Sequence, residues 1–347
     1  MTEPGLNPLN QVEEHLFPRS VWPAMLILLF LLISLATISL LFIGPRQSGL
    51  LELYTLFQTD PDLARLILMD IRLPRTLLGL LTGATLGLSG AALQSLLRNP
   101  LAEPGVIGVS GGAAFGAVMV FYFGLAGGSV LAISTGGMAG ALSALAFLYL
   151  LAGKNPSVTT LILAGVAING FAAAMTSLAL NFSPNPYAAM EIVFWLMGSL
   201  VDRSLTHIVF VLPFILIGWV LLFSTGKALD ALTLGEDTAA SLGFDLNWLK
   251  LRIILGCGLA VGAAVAVTGA IGFVGLVVPH LLRPFVGHQP SRLLLPSAIG
   301  GAVLLSVADI TVRLISPEIE LKIGIITALI GAPFFLYLIM SLRKEMT

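Results

Sequence analysis

The sequence predicts an all-α protein that crosses a membrane about ten times. Of its 347 residues, 57% are hydrophobic and only 10% are charged, whereas soluble domains carry roughly 25% charged residues. Apolar runs of about 20 residues recur along most of the chain, and each can cross a hydrocarbon core of about 30 Å as a helix. We expect one membrane domain over residues 1–347, with both termini on the same side because the number of spans is even, and we place that side in the cytoplasm.

Ten apolar segments are the candidate spans. The first is longer than the core of a signal peptide and lacks a small-residue cleavage pattern, so we expect it to be retained behind a cytoplasmic leader of residues 1–20. The eighth is short and contains Pro279, and a further apolar piece, Glu191 to Leu200, is typical of a re-entrant or interfacial segment. The ten spans are residues 22–43, 76–97, 106–123, 129–152, 158–182, 205–224, 250–270, 274–286, 293–315 and 322–342.

Basic residues lie on both faces of this topology. Cytoplasmic segments normally carry the excess of lysine and arginine, but ten basic residues fall inside and seven outside, which is only a mild bias. The inner set is Arg19, Arg98, Lys154, Lys227, Lys250, Arg252, Arg283, Arg292, Arg343 and Lys344, and the outer set is Arg46, Arg65, Arg72, Arg75, Arg203, Arg313 and Lys322. The surplus of outer arginines indicates an acidic partner on that face.

The stretch from Arg72 to Gly116 combines charged, packing and hinge residues. Arg72 and Arg75 flank Pro74, where we expect a turn at the mouth of the second span. A polar hinge, residues 98–105, separates two ladders of small residues at the four-residue spacing that lets helices pack closely in lipid. The four ladders in the chain are Gly79–Gly83–Gly87, Gly108–Gly112–Gly116, Gly136–Gly140–Ala144 and Gly258–Gly262–Ala266. Each ladder alone predicts tight packing, whereas the hinge favours a gated path.

Two weaker patterns concern symmetry and buried charge. Ser89-Gly90-Ala91 echoes Thr268-Gly269-Ala270 in oppositely directed spans, which would fit an inverted repeat. Asp309 and Arg313 have the spacing of an intrahelical ion pair and would neutralise each other near a membrane boundary.

Several function classes lack their sequence signatures. No chain of acidic or histidine residues crosses the membrane as a proton relay, no phosphate-binding loop is present, and His280 lacks a second metal ligand at helical spacing. A net charge of −1 offers no basic face for nucleic acid. We expect no metal, cofactor or catalytic site, and an energy source on another polypeptide.

The loop of residues 228–249, after the sixth span, offers a contact for such a partner. Gly235 opens a short helix with Glu236 and Asp237 in its first turn, where negative charge is favourable, and Gly243 stands at the position of a C-terminal cap. Ala239 and Ala240 would let another surface approach. An ordinary capped loop helix is the alternative.

Four motifs together resemble the FecCD-type permeases of ABC importers, which take up ferric siderophores, haem and vitamin B12. The motifs are RLPR at 72–75 with RNPLAEPG at 98–105, LTLGEDTAASLG at 232–243, GAIGFVGLVVPHLLR at 269–283 and GIITALIGAPFF at 324–335. They cover nearly all of the chain beyond the first span. The resemblance implies a type II ABC importer permease fold: a homodimer of ten-helix subunits in the bacterial inner membrane, with two cytoplasmic ATPase subunits and no ATPase activity of its own.

The same resemblance implies roles for particular residues. Arg72, Arg75 and Arg313 match arginines that grip glutamates of a periplasmic binding protein, and Asn99 and Leu101 match a cytoplasmic gate. Trp195 to Gly198 falls in a short extra helix beside the path. The ATPase-coupling helix would comprise Leu234, Gly235, Glu236, Asp237, Ala239, Ala240, Leu242 and Gly243.

Two positions depart from the family pattern, and the substrate stays open. Lys322 replaces a proline after Pro317-Glu318, which affects the start of the tenth span, and residues 287–292 differ from the usual Asp-His-Arg pattern. Because most of the family carries iron chelates, we expect a ferric siderophore or haem, with vitamin B12 as the alternative. A self-contained carrier or channel is the rival from another class, and a membrane-embedded enzyme is a third.

Overall fold

The structure is a computed structural model that describes residues 22–41, 49–154, 156–183, 186–315 and 321–345. Within these ranges all regular structure is helical, so the all-α prediction is confirmed. The leader of residues 1–20, the motif residues Pro317 and Glu318, and the outer-face residue Arg46 lie outside the described residues.

The described residues form fifteen α-helices, which follow one another with short connections. They are α1 Trp22–Leu41, α2 Leu50–Thr59, α3 Pro61–Leu66, α4 Leu73–Leu96, α5 Val109–Tyr122, α6 Ala132–Ala152, α7 Val158–Asn181, α8 Pro186–Leu196, α9 Leu205–Phe223, α10 Gly226–Leu232, α11 Glu236–Ser241, α12 Leu246–Thr268, α13 Val274–Leu282, α14 Pro290–Ile315 and α15 Ile323–Glu345. A π-helical turn, Ile67–Arg72, joins α3 to α4, and short 3-10 turns occur at Pro104–Ile107, Leu125–Gly128 and Arg283–Val286.

Eight helical segments of the described chain are long and apolar enough to cross a membrane. They are α1, the run Pro61–Leu96, α6, α7, α9, α12, α14 and α15. Three shorter apolar helices accompany them: α5, α8, and α13 with its 3-10 extension. Since α5 and α13 correspond to the third and eighth predicted spans, the described helices account for the ten predicted segments.

The expected turn at Pro74 is absent. The chain instead runs as one helix from Pro61 to Leu96, with the π-helical turn just before the proline. Proline removes one backbone hydrogen bond and crowds the preceding turn, and π-helix, which is rare, occurs mostly as a single turn of this kind inside an α-helix. The second span therefore continues a helix that begins well outside it.

The glycine ladders pack helices against one another, as tight packing predicts. A methyl group at Gly83 would lie 2.4 Å from the carbonyl oxygen of Gly301, so α4 and α14 touch backbone to backbone. A methyl group at Gly116 would lie 2.2 Å from the carbonyl oxygen of Gly136, which joins α5 to α6 in the same way. Only glycine permits these approaches, because any side chain would separate the helices.

The two short helices α5 and α13 begin inside the bundle. Each follows a long helix and a non-helical segment, and each starts after a residue in the left-handed region, Gly108 with φ 83° and Phe273 with φ 68°. The echo between Ser89–Ala91 and Thr268–Ala270 does not fall at equivalent places, because the first lies within α4 and the second at the end of α12.

Candidate functional site

We call the end of the bundle that carries residues 228–249 the inner end and the opposite end the outer end. At the outer end, Arg75 of α4 and Arg313 of α14 share one carboxylate. Arg75 contacts Oδ1 of Asp309 at 2.8 Å, and Arg313 contacts Oδ2 of the same side chain. Asp309 is buried, and two cations around one buried anion leave the group with net positive charge. The intrahelical pair predicted from spacing is present, but Asp309 also binds Arg75.

Arg72 completes this group, which we call the arginine cluster (Arg72, Arg75, Asp309 and Arg313). Its guanidinium donates to the carbonyl oxygens of Leu40 and Leu41 at 3.0 and 3.2 Å, at the end of α1. Arg313 also donates to the carbonyl oxygen of Ser39. Cations are favourable at helix C-termini, where carbonyl groups lack intrahelical partners. The structure thus brings together the three arginines predicted to dock a partner.

The exposure of the three arginines differs. Arg72 is only 2% exposed, and the side chains of Arg75 and Arg313 are 17% and 9% exposed. Arg75 is therefore the member that a partner at the outer end would reach first.

A cavity of about 220 Å³ with several charged residues in its walls is lined in part by Arg75 at the outer end. Its walls include Asp70, Asp202, Arg203 and His207. Asp70, Asp202 and His207 belong to none of the sequence motifs described above. Asp202 and Arg203 are adjacent charged residues between apolar segments, which is the signal that could have marked this cavity.

At the inner end, Asn99 and Leu101 lie in a compact turn. The side-chain Oδ1 of Asn99 accepts a hydrogen bond from the backbone N–H of Leu101 at 2.9 Å, and the N–H of Ala102 donates to the carbonyl oxygen of Asn99 at 3.1 Å. Arg98 precedes the turn with φ 46°, a left-handed conformation, and its guanidinium donates to the carbonyl oxygen of Leu232. The predicted gate residues thus follow directly after a residue, Arg98, that contacts the loop of residues 228–249 at Leu232.

The remainder of the hinge is held by two side chains. The carboxylate of Glu103 accepts a hydrogen bond from the backbone N–H of Phe273, the residue before α13, and Asn169 of α7 donates to the carbonyl oxygen of Gly105 at 2.6 Å. Glu103 was part of the hinge motif, but its contact with Phe273 spans 170 positions and has no sequence signal.

Gln94 connects α4 to α13. Its side-chain amide donates to the carbonyl oxygens of Gly275 and Leu276, both at 3.2 Å, and its Oε1 accepts from Arg283 at 2.9 Å. Gln94 is fully buried, so these bonds satisfy a polar side chain that would otherwise be costly inside the bundle.

The predicted short helix in the loop is present as α11. It follows Gly235, which has φ 119°, and ends at Gly243, which has φ 88°. The N–H of Gly243 donates to the carbonyl of Ala240 at 2.9 Å, and the N–H of Phe244 donates to that of Ala239 at 3.1 Å. These two bonds form a Schellman cap, so the glycine at the end was a correct structural signal.

One face of α11 is available to a partner. Ala239 is fully buried against the protein, whereas Glu236, Asp237 and Ala240 are exposed. Leu234 and Leu242, at the two ends of the helix, are 66% and 59% exposed. Two exposed leucines beside two carboxylates make a small mixed surface suited to protein contact.

Asp230 of α10 attaches this loop to α14. Its carboxylate accepts from the N–H of Ser291 at 2.8 Å, from Oγ of Ser291 at 2.6 Å and from Nε2 of Gln289 at 2.8 Å. Asp230 therefore caps the first turn of a helix that follows it by some 60 positions. Asp230 lies just before the motif of residues 232–243 and belongs to none of the sequence motifs.

Among the described residues, no group of three or more His, Cys, Asp or Glu side chains is placed to bind a metal ion. His280 instead packs edge-on against Phe334, with ring centroids 5.6 Å apart.

Comparison with known proteins agrees with this architecture. The family model described as the FecCD transport family matches residues 26–341. The chain is 43% identical to the uncharacterised ABC transporter permease protein YvrB of Bacillus subtilis, over 80% of this chain and 79% of YvrB. It is 41% identical to the cobalamin import system permease protein BtuC of Halobacterium salinarum, over 80% of this chain and 74% of that protein. It is also 41% identical to the vitamin B12 import system permease protein BtuC of Vibrio cholerae, over 82% and 85%.

A solved structure leads to the same family. An ABC transporter assigned to the metal-chelate type, in an inward-facing conformation, superposes with a TM-score of 0.79 at 35% identity and covers 92% of this chain and 99% of its own. The chain therefore belongs to the FecCD transport family and is a multi-pass permease of an ABC importer.

Proposed function

We propose that this permease imports a corrinoid such as vitamin B12, driven by ATP hydrolysis on a partner subunit in a bacterial inner membrane. The observation that carries the proposal is the 41% identity, over about 80% of the chain, to permeases named for cobalamin or vitamin B12 import. Permeases of this family work with an ATPase and a substrate-binding protein, typically as dimers.

An iron chelate, either haem or a ferric siderophore, is the second candidate substrate. It is the expectation from the motifs, and the metal-chelate assignment of the structural neighbour favours it. Corrinoids and iron chelates are both bulky metal complexes, so one wide path between two permease copies serves either.

Docking of a periplasmic binding protein is assigned to the arginine cluster. A glutamate of that protein would first meet Arg75, the most exposed of the three guanidiniums. Arginine presents two parallel N–H donors to a carboxylate, which lysine does not. Arg72 and Arg313 add positive charge within the same cluster and bind carboxylates when they leave the carbonyl groups at the end of α1.

Coupling to the ATPase is assigned to α11 and its flanking residues. Leu234 and Leu242 would enter a groove on the ATPase, with Glu236 and Asp237 at the rim. Two contacts then carry the movement into the bundle: Asp230 transmits it to α14, and Arg98 transmits it to α4 and the gate turn of Asn99 and Leu101. A population shift of this kind needs two states that nucleotide binding biases differently.

Reconstitution with the cognate ATPase and binding protein in proteoliposomes tests the proposal. Uptake of radiolabelled cyanocobalamin should depend on ATP and should exceed uptake of haem and of a panel of ferric siderophores. Preferential uptake of an iron chelate would replace the first candidate by the second. Uptake without the ATPase would instead make the chain a self-contained carrier and overturn the mechanism.

A further inference from the structure

A cavity of about 220 Å³ opens at the inner end of the bundle, between α6, α7 and α12. It lies beside α11 but contains no member of the arginine cluster and no hinge residue. Neither docking, gating nor ATPase coupling accounts for it.

The lining of this cavity is layered. Its deep wall is aliphatic and is built from Leu145, Leu148, Leu161 and Ile254. Its mouth carries Tyr149 and Trp248, each 55% exposed, together with Lys154 and Lys250. Aromatic residues with a polar tip and basic residues with long apolar stems both concentrate at membrane–water boundaries. The layering therefore follows the change from hydrocarbon to headgroup.

Basic side chains dominate the mouth. Lys250 is fixed there, because its Nζ donates to the carbonyl oxygen of Pro156 at 3.2 Å, and two of its three N–H donors remain for other acceptors. Lys154 is exposed. The guanidinium of Arg252 lies 5.5 Å from the centroid of the Trp248 ring, within the range of a cation–π contact.

Two carboxylates, Asp245 and Glu236, lie nearby and offset part of this charge. Oδ1 of Asp245 accepts hydrogen bonds from the N–H groups of Asn247 and Trp248 at 2.9 and 3.2 Å, so this carboxylate is the N-terminal cap of α12. Glu236 lies 3.9 Å from Nζ of Lys250 and is half exposed. The cavity lining itself holds two lysines against Asp245, and Arg252 on Trp248 adds a third cation nearby against Glu236, so the net charge at the mouth is positive and attractive to an anion.

We propose that this cavity binds one anionic phospholipid of the inner leaflet. The phosphate lies on Lys154 and Lys250, and the upper part of one acyl chain occupies the aliphatic wall. A free phosphate would leave that wall in water, and a zwitterionic lipid would bring a second cation toward the lysines. Basic pockets between transmembrane helices on this side of the membrane suit acidic headgroups, and each lysine near the surface contributes about 1 kcal/mol, or about fivefold in affinity.

The test uses the purified full-length chain in detergent micelles. Native mass spectrometry compares binding of dioleoylphosphatidylglycerol with that of dioleoylphosphatidylcholine. Lys154→Gln should weaken phosphatidylglycerol binding about fivefold, and Lys154→Gln with Lys250→Gln should weaken it on the order of twenty-five-fold. The matched control, Lys227→Gln with Arg292→Gln, removes two exposed charges at the same end outside the cavity and should leave the affinity unchanged.

A fluorescence measurement locates the bound lipid. Phosphatidylglycerol with brominated acyl chains should quench the emission that is lost in Trp248→Phe, and inorganic phosphate should not restore it. Equal binding of both lipids, equal loss in the control variant, or no quenching at Trp248 would each overturn the proposal. Should the change at Lys250 disturb folding, Lys154→Gln alone decides, because this exposed side chain can be removed without opening the packed interior.

Discussion

Replacement of Asp230 by alanine is expected to detach the coupling segment from α14. The change removes three hydrogen bonds, to the N–H and Oγ of Ser291 and to Gln289. Loss of a side-chain cap costs about 1 kcal/mol, and the two further bonds to a charged acceptor, partly replaced by water, add about 1 kcal/mol. We therefore expect the first turn of α14 to open more readily by about 2 kcal/mol, or about 30-fold.

Hydrogen exchange measures this opening directly. In the assembled complex, backbone amides of residues 291–294 should lose about 30-fold protection in Asp230→Ala and much less in Asp230→Asn, which keeps an acceptor oxygen. Asp237→Ala removes an equal charge from the same loop without touching α14 and serves as the control for the exchange measurement alone, because Asp237 belongs to the proposed ATPase contact. In proteoliposomes, ATP hydrolysis should continue in Asp230→Ala while substrate transported per ATP falls.

Two results would refute this reasoning. Unchanged exchange at residues 291–294 in Asp230→Ala would show that Asp230 does not hold the start of α14. Increased exchange with an unchanged ratio of transport to hydrolysis would show that the contact is present but does not transmit movement.

Three further outcomes are expected. Arg75→Glu should abolish binding-protein docking, measured by surface plasmon resonance, while the ATPase still co-purifies; docking as in the wild type would remove the arginine cluster from the interface. Glu236→Lys with Asp237→Lys should lower substrate-stimulated ATP hydrolysis without lowering the yield of folded permease, and full transport in this variant would contradict the role of α11. Gly87→Leu should lower the melting temperature sharply, because even a methyl group there would lie 2.0 Å from the carbonyl oxygen of Ser297 and overpacking typically costs about 1–3 kcal/mol. Its control is Gly127→Leu, where nothing lies within 4 Å of an added methyl group. Equal melting temperatures of the two variants would argue against the tight contact between α4 and α14.

The predictable part of this fold depends on local patterns. Hydropathy marks the spans because the bilayer demands length and apolarity from each segment alone. The ends of α11 were predictable for a similar reason, since Gly235 and Gly243 adopt conformations that side chains disfavour.

The contacts that have no sequence signal join residues far apart in the chain. Arg75 and Asp309 lie 234 positions apart, and Gln94 and Arg283 lie 189 apart. No periodicity links such residues, so one carboxylate between two arginines could not be foreseen. The turn predicted at Pro74 is wrong for a different reason, since the chain continues as a helix through the π-helical turn before the proline.

The unbroken helix from Pro61 to Leu96 has a mechanical consequence. Its 36 residues make a rod about 54 Å long, whereas the hydrocarbon core needs only about 30 Å. The 24 residues of α4 cover about 36 Å, so about 18 Å of the rod stands beyond them as a lever arm. The π-helical turn Ile67–Arg72 lies where this extension meets α4, so Arg72 is the last residue before the span. A force applied to this extension would therefore reach the bundle through the turn that contains Arg72.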